Sequence, residues 1–271
     1  MKLKNIKHLA LDMDGTIYTG TTLFPFTLQF LADMKSAGIG YTFLTNNPSK
    51  SKADYLTHLK NMGIEADASQ LYASGEATID YIKRHYPDIK RLFILGTPSL
   101  IAEFEASGFI STKDDPNDRP DAVIASFDKT LTYSRLCRAA WWVSRQLLYI
   151  ATNPDYVCPT DQPTVLVDCG SLCACIEQAT SRKPDIIIGK PAPRMLENII
   201  HRYRLHPQEI AMVGDRLYTD VATAKNTGAV GVLVLSGETT LEDLKHSNIE
   251  PDIVVENIKE LGQQILNAKC Y

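Results

Sequence analysis

The stretch HLALDMDGTIYTG, residues 8–20, sets Asp12 and Asp14 directly after a short apolar run and follows them with Gly15. A run of that length, closed by turn residues, reads as a buried strand of a parallel sheet. Two carboxylates at its mouth repel each other, and taking them out of water is costly unless a cation or hydrogen-bond donors compensate. The sequence therefore demands positive charge near residues 12–14.

Outward from this strand, short β-branched runs alternate with segments of helical period. GYTFLT, QLYAS, RLFILG, DAVIAS, LLYIA, DIIIG, EIAMVGD, VGVLVLSG and DIVVE read as strands. Helices are predicted between Pro25 and Gly38, over Ser49–Met62, Leu100–Ser107, Tyr133–Gln146 and Leu217–Asn226, and in GSLCACIEQAT and ENIIHRYR. Residues 156–168 read as irregular or hairpin-like. This rhythm is that of βαβ units, so the fold class is α/β with a mostly parallel sheet. The most economical architecture builds a Rossmann-like core from both ends of the chain, residues 1–76 and 182–271, around an inserted α/β domain at 77–181.

Composition narrows the function classes. The 271 residues carry 28 basic and 32 acidic side chains without a block of either sign, for a net charge of −4, so no electrostatic footprint for nucleic acid is present. The N-terminal apolar run is interrupted by Asp12 and Asp14, too soon for a signal peptide, and no later run approaches the ~18 apolar residues of a membrane span. A cytoplasmic protein without a nucleic-acid or membrane partner is expected. Six cysteines stand at 137, 158, 169, 173, 175 and 270. The C-x3-C-x-C spacing at 169–175 matches no standard zinc pattern, so buried thiols are the preferred reading and zinc the lesser one. The six histidines are scattered without ligand spacing. Trp141 and Trp142 are adjacent on a predicted helix and point in different directions, one into the core and one outward, which leaves a homo-oligomer contact open.

Ligands of parallel α/β sheets bind beyond the carboxyl ends of the strands. The polar residues predicted there are Asp12 and Asp14, then Thr45, Asn46 and Asn47 after GYTFLT, Lys190 after DIIIG, and Asp215 after EIAMVG. Three carboxylates suit a hard cation such as Mg²⁺, which takes one or two of them together with waters and a phosphate. Lys190 adds a second positive charge, and the space left favours a phosphoryl group. Each residue alone has a plainer reading: a DxD surface turn, a solvated lysine, a threonine ending a strand. GKP is no phosphate loop either, because Pro191 replaces the required hydroxyl residue. Joint placement on strand ends outweighs these separate readings.

DMDGT, LTNN, GKP and GDRLYTD, in that order, resemble the four motifs of the haloacid dehalogenase superfamily of phosphatases. TNNPS, ATNPD, and CGSLCACIE followed by GKPAP resemble its NagD-like, 4-nitrophenylphosphatase subfamily, and the resemblance covers nearly the whole chain. It implies a Mg²⁺-dependent phosphatase for a small phosphorylated metabolite, a sugar phosphate or nucleoside monophosphate. Asp12 is then the nucleophile that forms an aspartyl-phosphate, and Asp14 the acid and base. Mg²⁺ is held by Asp12, the Asp14 carbonyl and Asp215. Thr45 and Asn46 donate to the phosphoryl oxygens, Gly15 turns the backbone so that amides face the phosphate, and Lys190 neutralises charge. Asp220 orients Lys190 or metal-bound water. The insert corresponds to a class II cap, with Asn153 and Asp155 as the residues that reach the leaving group, although a plain turn around Pro154 reads equally well. Alternatives are a receiver-type signalling protein with a stable phosphoaspartate, which the second acid Asp14 opposes, a non-catalytic phosphometabolite sensor, and a phosphomutase.

Overall fold

The computed structural model describes residues 2–158, 160 and 162–269, so Cys270 lies outside the described residues. The chain divides into two compact units, one made of residues 1–45, 56–72 and 190–271, the other of 46–55 and 73–189.

The first unit is built on a six-stranded sheet in the order Ile253–Val255, Val230–Val234, Ile210–Gly214, His8–Leu11, Gly40–Thr45, Leu71–Ala73. His8–Leu11 runs parallel to both of its neighbours, with Leu11 opposite Val213 on one side and Phe43 on the other. All four of its residues are buried, as a central parallel strand covered on both faces requires. His8 is the polar exception. Its Nε2 lies 2.9 Å from Thr42 Oγ1, and burial pushes its imidazole down to about 4, so it packs as a neutral ring. The helix Ile258–Lys269 buries Ile258, Leu261, Gly262 and Ile265, one stripe at helical spacing, and a Cβ on Gly262 would stand 3.0 Å from the Phe30 ring of the helix Thr27–Ser36.

The second unit has a five-stranded sheet in the order Ile186–Ile187, Leu148–Ala151, Ala122–Ala125, Arg91–Leu95, Ile110–Ser111, every pairing parallel. Helices Tyr133–Ser144 and Cys169–Thr180 cover it, and Phe93, Trp142, Tyr149, Cys169, Cys173 and Ile176 share one apolar core. Trp142 is the inward tryptophan. Trp141 is partly buried, with the guanidinium carbons of Arg138 and Arg145 at 5.1 and 4.6 Å from its ring. Cys169 and Cys173 are buried with their sulfurs 3.9 Å apart, whereas Cys175 is exposed. The hairpin foreseen near 156–168 pairs Val157–Cys158 with Leu166–Val167.

Several elements depart from the sequence reading, among them a strand and a helix of the second unit. DIIIG reads as a core-sheet strand beyond a boundary at 182, but Ile186–Ile187 pairs with Ile150–Ala151 and the second unit runs to Gly189. An apolar β-branched run specifies a buried strand without specifying its neighbour. The helix Ser74–His85 gives little signal in the sequence, because it follows the strand Leu71–Ala73 without a linker and carries Gly75 in its first turn. No helix among the described residues is long and apolar enough to cross a membrane.

Candidate active site

The register of the first sheet fixes where its polar residues emerge. Asp12 follows Leu11 directly, and its N–H donates to the Val213 carbonyl at 2.8 Å, so Asp12 leaves the sheet beside Gly214 and Asp215. Thr45 ends the adjoining strand and is buried. Lys190, only 3% exposed, donates through Nζ to Asp12 Oδ1 and, at 2.6 Å, to Asp220 Oδ1. It enters from the chain following Gly189, not from a strand of this sheet, which revises its placement but leaves it among the carboxylates.

One oxygen each from Asp12, Asp215 and Asp220 lie within 4.8 Å of one another. Burial raises the Asp12 carboxyl well above the usual range; Lys190 pulls it back, while Asp220 and Asp215 push it further up. Burial also raises Asp215, to about 6, with the Asp220 charge adding and the Glu238 N–H, Arg216 and Lys190 opposing. Burial disfavours the Lys190 ammonium, but Asp12 and Asp220 outweigh it and hold the pKa above the ordinary value. One buried ammonium thus faces three carboxylates, and the excess negative charge asks for a further cation.

The donor set fits a hard divalent ion. It consists of oxygens only, and Asp215 Oδ1 is buried with no hydrogen-bond partner while Oδ2 accepts from the Glu238 N–H at 2.7 Å. Asp220 is differently occupied: Oδ1 takes Lys190 and Oδ2 takes the Arg216 N–H at 3.1 Å. It sits in a π-turn, where the Val221 N–H reaches back to the Arg216 carbonyl at 3.2 Å, a widening often found at functional sites.

Three glycines make room for these acids. Gly15 has φ +84°, and a Cβ there would lie 2.4 Å from Asp215 Oδ2. A Cβ on Gly237 would lie 2.1 Å from the same oxygen, and one on Gly214 would lie 2.2 Å from Asp220 Oδ2. Gly214 and Gly237 escaped the sequence reading, although each sits in a strand-exit run, VGD and LSGE, that signals it. Gly15 makes the expected sharp turn in the left-handed region, its own N–H donating to the Tyr18 carbonyl at 2.8 Å and its missing Cβ leaving space beside Asp215. Asp14 is exposed in the same turn, bridged to Tyr18.

The remaining candidates gather in the second unit. Asn46 Nδ2 donates to Asp155 Oδ2 at 2.8 Å, and Asn153 Nδ2 donates to the same oxygen and to Asp168 Oδ1, both at 3.1 Å. Asn153 Oδ1 accepts from the Thr152 hydroxyl at 2.9 Å. Asn153 is fully buried with its donors and acceptor engaged, so it is no arm reaching toward a leaving group. Asp155 likewise serves as an acceptor for two amides. The assignment of Asn46 as a phosphoryl donor is revised in part, since its amide is turned to Asp155.

The sequence and fold are similar to those of known proteins. Residues 9–110 match the haloacid dehalogenase-like hydrolase family, and residues 187–261 the HAD-hydrolase-like family. The chain is 31% identical to the ribonucleotide monophosphatase NagD of Escherichia coli K12, over 94% of this chain and 98% of that protein. Among solved structures it is similar to a 4-nitrophenylphosphatase from Thermotoga maritima, with TM-score 0.92, 42% identity and coverage of 98% and 99%. It is also similar to a glycerol phosphate phosphatase from Mycobacterium tuberculosis in complex with magnesium, with TM-score 0.88, 28% identity and coverage of 96% and 78%. With the ordered motifs, the parallel sheet and the acid–lysine cluster all in agreement, the chain belongs to the haloacid dehalogenase-like hydrolases, in their NagD-like branch, and is a phosphatase acting on phosphate esters.

Proposed function

We propose that this phosphatase hydrolyses small phosphate monoesters, sugar phosphates or nucleoside monophosphates, in two steps through an aspartyl-phosphate on Asp12, with Mg²⁺ as cofactor. The observation that carries the reading is the buried Lys190 ammonium paired with both Asp12 and Asp220 at the exit of the central strand. That arrangement pins the Asp12 carboxylate and leaves its second oxygen for attack.

In the first step an Asp12 oxygen attacks phosphorus and the ester P–O bond breaks. The leaving alkoxide takes a proton from Asp14, an exposed residue two positions beyond the nucleophile. In the second step water attacks the phosphoryl group, Asp14 takes the water's proton, and the Asp12–phosphorus bond breaks to release inorganic phosphate. Thr45 donates its hydroxyl to a phosphoryl oxygen, and Lys190 offsets charge on the transferring group. Asp220 holds Lys190 in place through its 2.6 Å bond. Mg²⁺, held by Asp12, Asp215 and the Asp14 carbonyl, supplies charge neutralisation at the phosphoryl oxygens when bound. The magnesium complex of the similar mycobacterial phosphatase supports this choice of ion. Selection among leaving groups is assigned to the inserted unit.

Asp12→Asn tests the reading. Phosphate release from 4-nitrophenyl phosphate with Mg²⁺ should fall by at least ~10³-fold, the scale on which loss of an essential nucleophile is felt. Undiminished turnover in a folded variant would remove Asp12 from the reaction.

A further inference from the structure

The chain passes between its two units at several points, and two of these adjoin residues given chemical roles above: Thr45 is followed by Asn46, and Lys190 is preceded by Gly189. Inside the second unit, Asn46 and Gly189 meet in one hydrogen-bonded cluster. The Asn46 carboxamide donates to Asp155 Oδ2 at 2.8 Å, and the Asn46 carbonyl accepts the Ser74 hydroxyl at 2.7 Å. The Gly189 N–H donates to the Thr152 carbonyl at 2.9 Å. A Cβ on Gly189 would stand 2.7 Å from Asn46 Oδ1 and 3.0 Å from Asn153 Cβ, so only glycine lets the chain pass this close to the amide.

Asp155 is held in turn. Its Oδ2 also accepts from Asn153, whose other amide hydrogen goes to Asp168, and Asp168 caps the helix Cys169–Thr180 by accepting from the Cys169 N–H. The Asp155 carbonyl accepts the Gly170 N–H at 2.8 Å, and a Cβ on Gly170 would collide with the Pro154 carbonyl at 2.2 Å. A carboxylate with two amide donors on one oxygen makes charge-assisted bonds of fixed direction. Asp155 is therefore a rigid post to which the first residue past Thr45 is tied, against the last residue before Lys190.

We propose that Asp155 is a positioning residue of the phosphatase reaction: by clasping Asn46 against Gly189 it fixes the peptides that carry Thr45 and Lys190, and thereby the aim of the hydroxyl and the ammonium. This rests on the phosphoryl-binding roles of Thr45 and Lys190 given above. A loosened clasp shifts both groups by a fraction of an ångström to an ångström, which costs about 10- to 100-fold in a reaction that depends on alignment.

Asp155→Ala and Asn46→Ala remove the bond from opposite ends, so a folding failure of one leaves the other. Each should raise KM for 4-nitrophenyl phosphate and weaken inhibition by inorganic phosphate by about 10-fold or more, with kcat falling too. Asp155→Asn keeps an acceptor oxygen and should recover most of the loss. The double variant should be no worse than the poorer single one. Amide hydrogen exchange at residues 45–47 and 186–190 should accelerate in Asp155→Ala and stay unchanged in Asp12→Asn. Exchange at the wild-type rate overturns the clasp, whatever the kinetics. Faster exchange with unchanged phosphate inhibition overturns the positioning role. A parallel Thr45→Ala variant then locates the fault: if it loses phosphate affinity, the clasp proposal fails alone, and if it does not, the role of Thr45 fails with it.

Discussion

Asp215 offers the sharpest test of the charge imbalance at the strand ends. Its carboxyl is pushed up to about 6 in the folded chain from an ordinary 3.8. A group that binds its proton more tightly when folded contributes stability in full below its unfolded pKa and loses it as pH rises through the folded one. In metal-free protein the ionised Asp215 therefore costs about 3 kcal/mol at pH 7.5 and about half of that at pH 5. Asp215→Asn removes the charge, keeps an oxygen for the Glu238 N–H, and turns an amide toward the remaining acids, at the atom that has no hydrogen-bond partner. The variant should be more stable than wild type in EDTA by about 3 kcal/mol at pH 7.5, which is roughly 6 °C in Tm for a chain of this size. The advantage should shrink toward pH 4. Mg²⁺ should raise the wild-type Tm at pH 7.5, raise it less at pH 5, and barely move the variant, which should also lose phosphatase activity. Scanning calorimetry with and without Mg²⁺ at both pH values reads all of this. If Asp215→Asn is destabilised in EDTA at pH 7.5, or gains as much from Mg²⁺ as wild type does, the account of Asp215 as a carboxylate awaiting a cation is wrong.

Other perturbations separate the elements of the site. Lys190→Met leaves Asp12 and Asp220 without their shared ammonium and should cost ~3–5 kcal/mol at pH 8 in urea melts, with the loss shrinking as acid protonates the carboxyls; an equal loss at pH 5 would contradict the pairing. Gly15→Ala forces a Cβ to within 2.4 Å of Asp215 Oδ2 at φ +84°. It should lose at least ~1–3 kcal/mol and abolish Mg²⁺-dependent turnover, measured by chemical melts and phosphate release. Trp142→Ala should cost ~3–5 kcal/mol from the second unit's core, whereas Trp141→Ala, which gives up a partly buried ring packed on the edge of that core and on Trp142 together with its contacts to Arg138 and Arg145, should cost less, about 1–3 kcal/mol in thermal melts.

The chain's own residues announced much of this protein. Central parallel strands are buried on both faces and so are written as unbroken apolar runs, which makes the polar residues at their ends conspicuous. Asp12, Thr45 and Asp215 were visible for that reason, and the α/β class followed from the alternation of periods. Tertiary structure decided what local pattern does not encode. DIIIG has the composition of a core strand, yet its hydrogen bonds go to Ile150–Ala151. Asn153, readable from sequence equally as a reaching arm or as part of a turn at Pro154, is buried in a polar cluster with Asp155 and Asp168, the latter capping the helix Cys169–Thr180. The bond from Asn46 to Asp155 spans 109 residues of sequence. Sequence spacing fixes which side chains share a face of one element, but the partner across space is chosen by packing, and that choice placed one ammonium between two acids and left a buried oxygen of the third, Asp215, without a hydrogen-bond partner.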